Sequence, residues 1–63
     1  MDITIRIDLG QGNYKSHTFV GDKEQILLPI QKYIEEHKYC YIDVLFHNEE
    51  DAQNLTYDEL FNP

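Results

Sequence analysis

Ile3-Thr4-Ile5-Arg6-Ile7-Asp8-Leu9-Gly10-Gln11-Gly12-Asn13 is the stretch that decides how this chain folds. Ile3, Ile5, Ile7 and Leu9 alternate with Asp2, Thr4, Arg6 and Asp8, so residues 2–9 form a strand with one apolar and one polar face. Gly10, Gly12 and Asn13 then supply the positive φ angles that a tight reversal needs. The chain returns through Tyr14 to Val20, which predicts a β-hairpin in the first twenty residues. The face of the return strand stays open. Tyr14, Thr18 and Val20 compete with Phe19 for the core, and a bulge near the glycines would switch them.

Beyond the hairpin, Gly21-Asp22 breaks the strand, and Asp22 with Gln25 three residues later has the spacing of a reciprocal helix cap. Ile26, Leu27, Ile30, Tyr33, Ile34 and His37 follow on one helical stripe. Pro29 either kinks a helix running from about Lys23 to His37 or starts a shorter one; the stripe continues across it, which favours the kinked helix. Tyr39 to His47 reads as the next strand, with Cys40, Ile42, Val44 and Phe46 toward the core and Tyr39, Tyr41, Asp43, Leu45 and His47 on the opposite face. The polar remainder holds two helix starts, Asn48 before Glu49-Glu50-Asp51 and Thr56 with Glu59 as a capping box. Leu55, Tyr57, Leu60 and Phe61 are its apolar anchors, so one or two short turns are expected to fold back over the sheet edge.

Hairpin, helix and strand make a small single α+β domain over residues 1–63, of ββαβ order. If the last strand joins the hairpin beside the first, the sheet order is 2-1-3, and the right-handed crossover rule suggests that it runs parallel to the first strand. In topology this resembles the front half of a β-grasp arrangement. Topology alone carries no function.

Composition excludes several functions. An apolar fraction of 41% with eight aromatic residues is too high for a disordered acidic chain. One cysteine cannot form an internal disulfide, which fits a reducing, cytoplasmic setting. The N-terminus lacks the apolar block of a signal peptide, and the longest apolar run, Ile26 to Ile30, is far short of a membrane span. A net charge of -7 opposes direct binding to nucleic acid or anionic lipid.

Catalytic chemistry finds little support, and the chain is expected to be non-enzymatic. Cys40 lies on an apolar strand face, where a cysteine packs as a small protonated hydrophobe. His37 falls at a helix end, where a cation suits the dipole, and nothing in the spacing brings His17 to His47. There is no CxxC or HExxH, and Glu49-Glu50-Asp51 lacks the alternation and glycine of a calcium loop, so no metal or other cofactor is implied. Gly10 and Gly12 lead into a strand, not into the helix N-terminus of a phosphate loop. Phe61-Asn62-Pro63 lacks the terminal glycines through which ubiquitin-like carriers are activated.

Two binding functions survive. No lysine or arginine follows Lys38, so residues 39–63 carry six uncompensated acids: Asp43, Glu49, Glu50, Asp51, Asp58 and Glu59. Residues 1–38 are nearly balanced, with six acids against five bases. Carboxylates spread over one surface can stand in for phosphates in the basic groove of a nucleic-acid-handling protein, with Glu35 and Glu36 extending that surface. In size and charge the chain is similar to the small acidic inhibitors, DNA mimics among them, that phages and mobile elements direct at host nucleases, glycosylases and polymerases. Against this, acids of this kind also serve simply to keep a small domain soluble. The alternative is a homo-oligomeric scaffold module, a dimer for instance, that binds through Tyr39, Tyr41 and Leu45 on the outer face of its sheet. The competing arrangement has Leu55, Leu60 and Phe61 fold over those side chains and close a second small core.

Overall fold

The computed structural model describes residues 1–61. Strands β1 (Asp2–Gly10), β2 (Asn13–Val20) and β3 (Tyr41–Phe46) form one sheet in the order β2-β1-β3, joined by helix α1 (Lys23–Glu36) and followed by α2 (Glu49–Asn54) and α3 (Tyr57–Phe61). Fold class and sheet order are as the sequence predicts. The direction of β3 is not: it pairs antiparallel to β1, Ile3 opposite Phe46 and Asp8 opposite Tyr41. Val20 of β2 lies opposite Asp2, so the hairpin finishes where β1 begins. One pass of a 14-residue helix, about 21 Å at 1.5 Å per residue, carries the chain to the far end, from which β3 must descend. The crossover therefore relates β2 to β3, which run the same way with β1 between them. The β-grasp likeness holds in element order and sheet order, not in this strand direction.

Gln11 and Gly12 form the two-residue hairpin turn, both with positive φ (55° and 80°), between the paired Gly10 and Asn13. That is the backbone of a type I′ turn, whose twist matches the strands. The register slips between Asp8 and Gly10, and the Asp8 Oδ1 accepts the Gly10 N–H at 2.8 Å. This bulge turns Leu9 out of the core; it is 53% exposed, contrary to the plain alternation. It also decides the face of β2. Phe19, His17 and Lys15 share the face of Ile3, Ile5 and Ile7, while Tyr14, Ser16, Thr18 and Val20 point outward with Asp8, Arg6, Thr4 and Asp2.

Helix α1 runs unbroken through Pro29, an exposed position where the missing N–H costs only the bond to the Gln25 carbonyl. Its start is held by Gln25, whose Oε1 accepts the Asp22 N–H at 2.9 Å. Gly21 leaves room for that cap, since a Cβ there would stand 2.9 Å from the same oxygen. Ile26, Ile30 and Ile34 face the sheet and join Ile3, Ile5, Ile7, Leu55 and Leu60 in one core. Ile42, Val44, Phe46 and Cys40 pack at its margin, half-buried.

Both C-terminal helices start where the sequence places them. Asn48 caps α2 by accepting the Glu50 N–H at 2.9 Å. Thr56 and Glu59 exchange hydrogen bonds at 3.3 and 3.0 Å, the reciprocal pattern of a capping box. They do not fold over the outer face. Leu55 and Leu60 enter the main core, and α3 lies against α1, where Gln31 donates to the Glu59 carbonyl at 2.7 Å. Helices α1 and α3 thus share one side of the sheet, while α2 touches β3 and buries none of its own residues.

Candidate interaction surface

The outer face follows from the register. Two polar rows cross the face. In one, the Thr4 hydroxyl lies between the Thr18 hydroxyl at 2.9 Å and the His47 Nε2 at 2.8 Å. In the other, Arg6 stacks over the Tyr14 ring at 4.5 Å and donates to the Asp43 carboxylate at 3.1 Å. Such an exposed pair contributes about 0.2–1 kcal/mol, but together the rows fix the side chains of the middle of the face. Apolar groups surround them: Val20 is 72% exposed, Tyr41 85% and Leu45 46%. Exposed aromatic and aliphatic side chains thus border an ordered polar centre.

Of the three side chains expected there, Tyr41 and Leu45 lie on this face. Tyr39 does not; it precedes β3 and is 94% exposed in the connection from α1, because the strand begins at Tyr41. Tyr14 and Val20, which the sequence alone does not place, belong to the face. The signal that places them is the Leu9 bulge, which periodicity alone does not show.

The acidic residues divide. Asp43 sits on the outer face, paired with Arg6. Glu59 receives the Lys23 ammonium at 2.8 Å while capping α3, and Asp51 accepts the Asp2 N–H at 3.4 Å. Glu49 and Glu50 stand in the first turn of α2, Asp58 in that of α3, where helix dipoles favour a negative charge. These three carboxylates have no salt-bridge partner among the described residues. Half of the six acids therefore serve the fold.

Glu59 has a pH consequence. The Lys23 hydrogen bond, then the Thr56 N–H, hold its carboxyl below the usual glutamate range. A lowered folded-state pKa contributes stability above the unfolded value of about 4.3, lost as pH falls through the folded value. Glu59→Gln should therefore melt below the wild type at neutral pH, with the gap closing in acid. Thermal melts of both proteins from neutral to acid pH check this; a gap constant with pH would contradict it.

The histidines are dispersed over two faces. His47 lies on the outer face, whereas His17 and His37 meet on the inner one around Tyr33, with ring centroids 5.6 and 4.7 Å away. The His37 Nδ1 lies 2.8 Å from the Tyr33 carbonyl, which can only accept, so in the neutral ring Nε2 offers its lone pair to the Lys15 ammonium at 3.4 Å. No group of three or more metal-ligating side chains is placed to hold an ion among the described residues. A cleft of about 330 Å³ opens at one end of the sheet between Met1, Asp2, Val20, His47, Asn48 and Asp51. No described helix is long and apolar enough to cross a membrane.

No protein-family model matches the chain, and no curated protein or solved structure matches it either.

Proposed function

We propose that this chain is a non-enzymatic protein-binding domain whose working surface is the outer face of its sheet. One observation carries the proposal: α1, α3 and Leu55 build the core on the opposite side, leaving Tyr14, Val20, Tyr41 and Leu45 exposed around an ordered polar centre. Apolar surface left in water adds no burial energy to the monomer, whereas a partner that covers it gains about 25 cal/mol per Å² removed from solvent. Tyr41→Ser combined with Leu45→Ser should weaken partner binding at least tenfold, about 1.4 kcal/mol, and leave the melting temperature nearly unchanged. Calorimetric titration and a thermal melt of the same variant check it. Unaltered affinity would remove the face from the account.

A second use of the molecule rests on Glu49, Glu50 and Asp58. Their unpaired charges suit a basic partner, and an inhibitor that occupies a nucleic-acid groove would present them there. Glu49→Gln, Glu50→Gln and Asp58→Asn together should abolish most of the salt dependence of such binding, each charge contributing about 0.2–1 kcal/mol. Asp51 and Glu59 are left intact because they hold the fold. Binding that ignores salt, and that leaves the partner's nucleic-acid affinity unchanged, would exclude this use.

A further inference from the structure

We infer that a second copy of this chain docks along the free edge of β2, antiparallel, to make a continuous six-stranded sheet. The inference does not depend on what the outer face binds. β2 lies at one end of the sheet order, so one side of its backbone has no strand beside it among the described residues. An eight-residue edge of this kind is a template for strand addition.

Charge points to the occupant. The chain carries -7, and β2 is the one element of the six without an acid. Every other element is net negative, whereas β2 carries only Lys15, so a second copy of this acidic chain meets its least repulsive field here. The β3 edge is shorter and carries Asp43, with Glu49 and Glu50 close behind it in sequence. Edge strands are commonly protected by a lysine that projects past the sheet. Lys15 is instead drawn back onto α1, its ammonium 3.4 Å from the His37 Nε2 and 5.9 Å from the centre of the Tyr33 ring.

The sequence of β2 is also complementary to itself. Two copies with His17 on the two-fold axis align residues 14–20 of one against 20–14 of the other. Tyr14 then meets Val20 of the second copy, an aromatic–β-branched pair on the outer face, and Ser16 meets Thr18, two hydroxyls. On the inner face Lys15 meets Phe19, so no lysine faces a lysine. The faces match because paired residues share the same parity, which places both sets of helices on one side. The two outer faces then form one surface of twice the area.

Cysteine crosslinking in a Cys40→Ala background tests the docking and its register together. His17→Cys should form a covalent dimer under mild oxidation at least about tenfold faster than Ser16→Cys or Thr18→Cys alone, because only position 17 meets itself. Mixing the Ser16→Cys and Thr18→Cys proteins should restore fast crosslinking. Sedimentation of the unmodified chain over roughly a hundredfold range of concentration should show mass rising toward the dimer, and His17→Lys should suppress that rise. Equal rates at the three positions, no covalent dimer, or a monomer mass throughout would each overturn the inference. Crosslinking at these positions reports the β2 edge and not Tyr41 or Leu45 on β3, so its failure would leave the binding proposal for those two residues standing.

Discussion

Ile5→Asp is expected to abolish cooperative unfolding, while Thr4→Asp, one residue away, should leave it intact. Ile5 is 0% exposed at the centre of β1, beneath α1. Aspartate there removes an aliphatic side chain, at about 2–5 kcal/mol, and introduces a buried carboxyl with no partner, at several kcal/mol more. A domain of 63 residues has only about 3–9 kcal/mol in total, at 0.05–0.15 per residue. The loss therefore matches or exceeds the whole stability. Thr4 lies on the outer face, where an aspartate stays hydrated and the cost is limited to its hydrogen bonds with Thr18 and His47, about 1 kcal/mol each. Urea unfolding followed by circular dichroism separates the two, and equal tolerance would invert the face assignment.

The second large effect is expected at the C-terminal end. Leu55 and Leu60 are 0% and 1% exposed and complete a core that the three strands and α1 leave open. Leu60→Ala should cost about 2–5 kcal/mol, a large share of the total. Tyr57→Ala, at a position 58% exposed with an edge contact to Phe46, should cost about 1 kcal/mol. Denaturant midpoints of the two variants compare them. A Leu60→Ala protein as stable as the wild type would mean that α3 is detached from the core in solution.

Much of this architecture is legible in the residues, for local reasons. The isoleucine alternation of β1, the helical stripe from Ile26 to Ile34, the Asn48 cap and the Thr56–Glu59 box each depend on side chains within a few positions of one another. What periodicity misses arises at longer range or from one inserted residue. The bulge at Leu9 shifts the phase of the strand by one, and that shift sends Phe19 inward and Tyr14 outward. The direction of β3 follows from where α1 ends, a matter of helix length and not of any motif. Whether Leu55 and Leu60 close the outer face or the inner one depends on the space beside α1, which composition does not report. Which acids are engaged within the fold is hidden from composition for a similar reason. Charge counting treats six carboxylates alike, but Lys23, Arg6 and the Asp2 backbone engage three of them, and all three of those partners lie more than 35 residues away in sequence.

Site-specific photo-crosslinking tests the central claim most directly, in cells that naturally produce the protein. A photoreactive phenylalanine analogue placed singly at Tyr41 or Leu45 samples the outer face; at Glu49 or Asp58 it samples the acidic helix starts. The account predicts a discrete protein adduct from Tyr41 and Leu45, with none or a much weaker one from the other two positions. Adducts from Glu49 and Asp58 alone, with Tyr41 and Leu45 silent, would contradict it and assign the binding surface to the carboxylates.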